Sequence, residues 1–163
     1  MSRLDSFIRR MQAQRACLDS AAGLIEDVPG VVLELGLGNG RTYDHLRELF
    51  PGRRIIVFDR EVRAHPDCIP DDADLFLGEF TEALPRVFEQ VGKTVALAHA
   101  DFGGGDADRV AATAKFLAER LAPMVVAGGV IASDQNIPAD TWESLPLPDG
   151  ISVGRYHLRR AVS

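Results

Sequence analysis

The sequence predicts a doubly wound α/β fold, with a mostly parallel sheet between two layers of helices and a long helix at the N-terminus. Short continuous apolar runs, typical of strands that are buried on both faces, alternate with segments of helical periodicity. Pro- and Gly-rich turns separate these segments. The chain has 163 residues, of which 46% are hydrophobic and 26% charged. This length fits one domain with a substantial core, so we expect a single domain over residues 1–163.

The first element is a long amphipathic helix. Apolar residues between Leu4 and Ile25 recur at steps of three and four, which predicts a helix over roughly residues 3–26. The alternating elements that follow are predicted as a strand at 31–35, a helix at 42–50, strands at 54–58 and 75–77, a helix at 81–91, a strand at 94–100, a helix at 106–121 and a strand at 124–132. The remaining residues are expected to hold a short helical piece near Trp142 and a last strand around 151–158.

The residues that follow each strand form the candidate site, because ligands of such sheets bind beyond the carboxyl ends of the strands. The first of these segments is a glycine turn, in which Gly36, Gly38 and Gly40 form the pattern G-x-G-x-G. The dinucleotide fingerprint requires a small residue five positions after the first glycine, and Arg41 stands there. The turn is therefore not typical of a pyrophosphate site.

Acidic residues accompany this turn. Glu34 lies two residues before the first glycine, where an acid suits a ligand with a cationic amine better than a pyrophosphate. Asp59 ends the second strand, and a carboxylate at that place can accept both hydroxyls of a ribose. Gly78 and Glu79 follow the third strand. Together these residues predict a nucleoside site without a pyrophosphate subsite.

Four segments resemble successive motifs of the class I S-adenosylmethionine-dependent methyltransferases. They read "LELGLGNG", "VFDR", "LFLGEFTEALP" and "GGVIASD", and they cover roughly residues 30–135. The resemblance implies the Rossmann-like fold of that family, methyltransferase activity and S-adenosyl-L-methionine as the cofactor. On this basis the chain is expected to be a small single-domain member.

The resemblance also implies the roles of individual residues at the cofactor. It places the glycine turn against the methionine part and the ribose, and Glu34 near the methionine amino group. It places Asp59 on the ribose hydroxyls and Glu79 on the adenine amine, although Glu79 is longer than the usual Asp. The alternative for Glu79 is a helix N-terminal acid favoured by the helix dipole. The expected cofactor-binding residues are Glu34, Gly36, Leu37, Gly38, Gly40, Asp59, Arg60, Gly78, Glu79 and Phe80.

His99 and Asp101 are the candidate catalytic residues. They lie in "LAHADFGGGD" after the fourth strand, beside the expected methyl group, where a base could take the proton of the acceptor. A second interpretation is a Mg²⁺ site, because metal-dependent catechol-type O-methyltransferases carry an acid after strand four and an Asp-Asn pair after strand five. Here "HAD" and "SDQN" would supply His99 or Asp101 with Asp134 and Asn136. A histidine replaces the first acid and Gln135 interrupts the pair, so no metal is expected.

The methyl acceptor is expected to be a small molecule that is methylated at an oxygen or nitrogen atom. The chain lacks the N/D-P-P-Y/F signature of nucleobase and glutamine methylation, and it lacks a Pro-Cys nucleophile. A net charge of −6 also argues against nucleic-acid binding. Two alternatives remain open: a non-catalytic S-adenosylmethionine-binding module and a nicotinamide-dependent reductase. Arg41 and the lack of a Tyr-x-x-x-Lys motif oppose the reductase.

The cysteines, the longest apolar run and the N-terminal helix predict where the protein is located and how it assembles. The two cysteines form no disulfide framework, which favours a reducing cytoplasm. The longest apolar run, residues 121–132, is too short to span a bilayer, so no membrane contact is expected. The first turns of the N-terminal helix carry Leu4, Phe7, Ile8 and Met11. An exposed apolar patch of this kind usually marks an interface, and we expect a homo-oligomer.

Overall fold

The structure is a computed structural model that describes residues 1–163. The helices are α1 (Arg3–Leu24), α2 (Arg41–Leu49), α3 (Phe80–Val91) and α4 (Ala107–Leu121). The strands are β1 (Val31–Leu35), β2 (Ile55–Asp59), β3 (Leu75–Leu77), β4 (Val95–Ala100), β5 (Val125–Ser133), β6 (Trp142–Ser144) and β7 (His157–Ala161). No helix combines the length and apolar character that a membrane crossing requires.

The seven strands form one sheet in the order β3-β2-β1-β4-β5-β7-β6. Strands β1 to β5 are parallel, and β7 and β6 close one edge in antiparallel pairing. The chain moves outward from β1 to β3, returns to β4 and then moves outward on the other side. The strand order therefore reverses between β1 and β4, which is where such sheets bind ligands. In this pair of strands, Glu34 lies opposite His99.

Helices cover both faces of the sheet, which confirms the doubly wound α/β prediction. On one face, α3 and α4 bury residues such as Leu84 and Leu117 against the strands. On the other face, α1 and α2 do the same with Leu18 and Leu46. Because β1 and β4 are covered on both sides, their residues are almost entirely buried, as the continuous apolar runs predicted.

The prediction of a helical piece near Trp142 was wrong. Trp142 begins strand β6 and lies opposite Ala161 of β7, so a partner far along the chain decides its conformation. The last strand also begins later than predicted, at His157. Gly150 and Gly154 both have a φ near +80°, with values of +82° and +84°, and these turns prevent an extended strand over residues 151–155.

Candidate functional site

A cavity of about 470 Å³ opens beyond the carboxyl ends of the parallel strands. This volume lies in the range of sites for small molecules and cofactors. One wall consists of residues that follow β1, β2 and β3, and the other consists of the loop after β4 and the start of α4. Of the predicted cofactor residues, those that line the cavity are Gly36, Asp59, Arg60, Gly78, Glu79 and Phe80.

The glycine turn lies at the edge of this cavity, and its three glycines have different roles. Gly36, with a φ of +113°, faces the cavity directly. Gly38 has a φ of +53° and does not line the cavity, but its N–H donates to Asp59. Gly40 lies against the neighbouring loop, since a Cβ atom there would be 2.6 Å from the Cβ of Cys68. The buried Leu37 anchors the turn in the core, so only part of the predicted set borders the cavity.

Asp59 presents its carboxylate at the end of β2. Its Oδ2 accepts a hydrogen bond from the N–H of Gly38 at 2.8 Å, and its Oδ1 accepts one from its neighbour Arg60 at 2.6 Å. Each carboxylate oxygen can accept a further hydrogen bond. The carboxylate is therefore held in place and still able to accept from two hydroxyl groups of a ligand.

Glu79 and Phe80 continue the same wall after β3. Glu79 directly precedes α3, but its side chain forms no capping bond to the helix. Instead its Oε1 lies 3.7 Å from the Nε of Arg60, and both side chains are well exposed. The Phe80 ring packs edge-on against Phe58, with the centroids 6.5 Å apart. These side chains provide a flat apolar surface and a nearby carboxylate, which suits an adenine ring with its amine.

Glu34 and His99 belong to a buried hydrogen-bonded network beneath the glycine turn. The Oε1 of Glu34 accepts from the Thr42 hydroxyl at 2.7 Å, and Oε2 lies 2.8 Å from Nδ1 of His99. The Nε2 of His99 is hydrogen-bonded to the hydroxyl of Tyr156. Glu34 and His99 are fully buried and do not line the cavity. Their positions do not support direct contact of Glu34 with the methionine amino group or direct catalysis by His99.

Burial and the contact between Glu34 and His99 act in opposite directions on the pKa of His99. Burial by itself lowers the pKa of His99, but the charge and hydrogen bond of Glu34 outweigh it and raise the pKa above 6.5. Asp101 and Asp134 add to this effect. A protonated ring donates from both nitrogens, to Glu34 and to Tyr156. Burial also raises the pKa of Tyr156 well above 10. Nothing in the sequence pattern identified Tyr156, which lies 57 positions after His99.

Asp101 is the member of the predicted catalytic pair that faces the cavity. Its carboxylate receives two hydrogen bonds from Nη2 of Arg10, at 2.6 and 2.8 Å, and one from the amide of Gln14 at 3.1 Å. Both partners belong to α1. The N-terminal helix therefore reaches the rim of the cavity, which the sequence pattern did not predict in this detail.

Asp134 supports the glycine loop that follows β4. Its oxygens accept from the backbone N–H of Phe102 at 3.0 Å and of Gly103 at 2.9 Å. Burial raises the pKa of Asp134, although the hydrogen bond from Gln135 and those from the loop oppose the shift. A Cβ atom at residue 103 would lie 2.3 Å from Oδ2 of Asp134, so a larger residue there would have to displace the Asp134 side chain.

The four residues of the possible metal site do not converge. His99 is held by Glu34, Asp101 by α1, and Asp134 by the glycine loop. The side-chain oxygen of Asn136 accepts from Nη2 of Arg159 at 2.6 Å. No group of three or more His, Cys, Asp or Glu side chains in the structure has an arrangement that could hold a metal ion.

Comparison with known proteins bears on these features. Residues 1–161 match the S-adenosyl-L-methionine methyltransferase family. The crystal structure of an S-adenosyl-L-methionine methyl transferase from Silicibacter pomeroyi DSS-3 is 44% identical, covers 99% of each chain and superposes with a TM-score of 0.92. None of the curated protein sequences matches the chain.

More distant structures share the fold. The apo structure of CmcI-N160 is 16% identical, with 90% of this chain and 71% of the other covered and a TM-score of 0.57. The antibiotic-resistance methyltransferase Kmr is 16% identical, with 91% and 93% covered and a TM-score of 0.54. The family match decides against a nicotinamide-dependent reductase. With its Rossmann-like sheet and a nucleoside-sized cavity at the switch point, the chain belongs to the S-adenosyl-L-methionine methyltransferase family and uses S-adenosyl-L-methionine as its cofactor.

Proposed function

We propose that the chain, acting as a single domain over residues 1–163, transfers a methyl group to an oxygen or nitrogen atom of a small molecule. The observation that carries this proposal is a second, more open cavity of about 530 Å³ beside the first. The two cavities share the loop residues Gly103 and Gly104. Both volumes suit small ligands, so a cofactor and a small acceptor could meet across this loop.

The first cavity is the proposed cofactor site. Asp59 would accept hydrogen bonds from the ribose hydroxyls, and Glu79 with Phe80 would hold the adenine. Gly36 allows the backbone to approach the ligand, because it has no side chain. The bound cofactor supplies an electrophilic methyl group. The remaining predicted residues do not line the cavity but support the turn that borders it: Glu34, Leu37, Gly38 and Gly40.

Asp101 is the proposed catalytic residue. It lines the first cavity, and its partner Arg10 lines the second, so its carboxylate lies near the boundary between the two ligands. A carboxylate at this boundary could orient the nucleophile and accept its proton. We assign His99 a positioning role, because it touches only Glu34 and Tyr156 through its ring nitrogens.

The test is an assay of S-adenosylhomocysteine formation by mass spectrometry, with a panel of small hydroxyl- and amine-bearing acceptors. We expect turnover with at least one acceptor and a loss of roughly 10²-fold or more in Asp101→Asn, the scale of general-base catalysis. Asp140→Asn is the matched control, because Asp140 is exposed and lines neither cavity. Methylation of oligonucleotides or peptides alone would contradict the small-molecule assignment. Equal activity of both variants would remove Asp101 from the reaction.

The proposed location is the cytoplasm. Both cysteines are free: Cys17 is buried and Cys68 is partly buried. Burial raises the pKa of the Cys17 thiol to about 11, so this thiol remains protonated and unreactive at neutral pH. Free cysteines of this kind support a reducing compartment. Fractionation of the source cells with an antibody to the chain tests this location.

A further inference from the structure

The second cavity is lined by more basic than acidic side chains. It forms where α1, the carboxyl end of β5 and the loop before β7 meet. Its charged residues are Arg10, Asp134 and Arg155, and Val153 is its one hydrophobic residue. A cavity with this lining favours a polar ligand. The charges of its side chains decide whether that ligand is an anion or a cation.

Arg155 is a cation without a counter-charge. It is half-buried, and its side chain forms no ion pair and no hydrogen bond within the protein. Its backbone N–H donates to the carbonyl of Ser152 at 3.1 Å, so both residues belong to one tight turn. The next residue, Tyr156, is buried, and its hydroxyl is hydrogen-bonded to His99. This hydrogen bond anchors the turn to the sheet. A partly desolvated and positioned cation of this kind is best satisfied by an anion.

Arg10 contributes further hydrogen-bond donors to the same cavity. Both of its hydrogen bonds to Asp101 come from one nitrogen, Nη2. The Nε and Nη1 groups of Arg10 donate no hydrogen bond within the protein and remain available to a ligand. A guanidinium fork matches the geometry of a carboxylate or phosphate.

The negative charge of Asp134 does not cancel the preference of the two arginines for an anion. Its oxygens already accept from the N–H groups of Phe102, Gly103 and the Gln135 side chain, at 2.9 to 3.1 Å. Its charge is therefore spread over donors on its own side of the cavity and forms no ion pair with Arg155. An incoming anion would meet the free donors of the two arginines.

We propose that the second cavity is an oxyanion site, in which Arg155 and Arg10 hold a carboxylate or phosphate group of the methyl acceptor. This inference rests on the proposed function, because it assigns a substrate class to the acceptor site. The hydroxyl or amine that receives the methyl group would then face the Gly103-Gly104 loop and Asp101, while the anion lies at the far side of the cavity.

Calorimetry tests the site without turnover. Inorganic phosphate and 4-hydroxybenzoate are titrated into protein saturated with S-adenosylhomocysteine, with 4-hydroxybenzyl alcohol as the neutral counterpart. Both anions should bind, and the alcohol should bind at least about tenfold more weakly than the acid, a difference of about 1.4 kcal/mol. Arg155→Gln should weaken anion binding by about tenfold or more, whereas Arg155→Lys, which keeps the charge, should lose less. The affinity for S-adenosylhomocysteine checks that each variant is folded.

Arg9→Gln is the matched control, because Arg9 is exposed, lies next to Arg10 and lines neither cavity. Equal losses in Arg9→Gln and Arg155→Gln, or anion binding no tighter than that of the alcohol, would overturn the inference. Parallel assays of methyl transfer separate the oxyanion site from the proposed function. Transfer to neutral acceptors without anion binding would refute the oxyanion site alone. Anion binding that depends on Arg155, without transfer to any acceptor, would support the site and count against the proposed function.

Discussion

Arg10 in α1 and Asp101 at the end of β4 lie 91 positions apart and are joined by two hydrogen bonds at 2.6 and 2.8 Å. This pair attaches the N-terminal helix to the residue that follows β4, and it joins the two cavities, because Asp101 lines the first and Arg10 lines the second. Almost all α1 residues before Ala13 are exposed, so the pair is a principal contact of the first half of the helix.

Breaking this pair should loosen the helix without unfolding the protein. The Arg10 side chain is 46% exposed, and exposed ion pairs contribute only about 0.2–1 kcal/mol. We expect Arg10→Gln to keep nearly the wild-type stability but to show faster amide hydrogen exchange over residues 3–12, measured by mass spectrometry. Arg9→Gln should exchange like the wild type. Unchanged protection in Arg10→Gln would show that other contacts hold the helix.

Removal of the Asp59 carboxylate should weaken cofactor binding. Asp59→Ala should cost roughly 1.5–3 kcal/mol of affinity for S-adenosylhomocysteine, the scale of hydrogen bonds to a charged group. The fold should survive, although the turn loses the bond from the Gly38 N–H. Calorimetry measures the affinity, and Asp140→Ala serves as the control. Wild-type affinity in Asp59→Ala would show that the ribose is held elsewhere.

Substitution of Gly38 should damage the turn through backbone strain. A Cβ atom there meets nothing within 4 Å, so the penalty comes from the φ of +53°. We expect Gly38→Val to cost about 1–2 kcal/mol of stability, as left-handed backbone does for a residue with a side chain. It should also weaken cofactor binding, because a shifted turn no longer holds the Asp59 carboxylate through the Gly38 N–H. Gly52→Val is the control, because Gly52 also has free space around it but no positive φ. Similar cofactor affinities of the two variants would contradict this role of the turn.

The Glu34–His99 pair should make stability depend on pH. A raised pKa means that the folded state binds the proton of His99 more tightly than the unfolded state. This contribution is complete below about pH 6.5 and is lost as the pH rises through the raised pKa, with a slope of up to about 1.4 kcal/mol per pH unit. The pKa of His157 is lowered by burial and by Arg159, so its contribution changes below pH 6.5, in a separate window.

Urea unfolding between pH 6 and 9 measures this dependence. We expect Glu34→Gln to be less stable than the wild type at pH 6 and the difference to shrink as the pH rises. Asp19→Asn is the control, because it removes a carboxylate from a histidine pair at the surface, where Asp19 lies 2.7 Å from His45. A difference that is constant over this pH range would mean that His99 is neutral in the folded protein.

The apolar surface at the start of α1 should lie in a subunit interface. Leu4, Phe7 and Ile8 are 67%, 47% and 45% exposed, which is unusual for neighbouring large apolar side chains of a monomer. Light scattering at micromolar concentration should therefore give a mass well above 17.7 kDa. The double variant Leu4→Ser/Phe7→Ser should be a monomer with unchanged helix content. A wild-type mass near 17.7 kDa would rule out a stable oligomer.

The sequence by itself determined the layers of the fold and the edge of the sheet at which the first cavity lies. Continuous apolar runs mark buried strands. Gly36 directly follows such a strand and Asp59 ends one, so the local sequence pattern is enough to place both residues. The errors fell in the region after Asp134, where β6 and β7 depend on pairing with each other and with β5.

Only the tertiary structure decided which polar side chains meet. Glu34 and His99 are 65 positions apart, and they touch because β1 and β4 are neighbours in the sheet. That adjacency buries His99 away from the cavity and leaves Asp101, two residues later, at its rim. Contacts of this kind follow from strand order and packing. Residue spacing along the chain encodes the periodicity of each element but not the distance between elements.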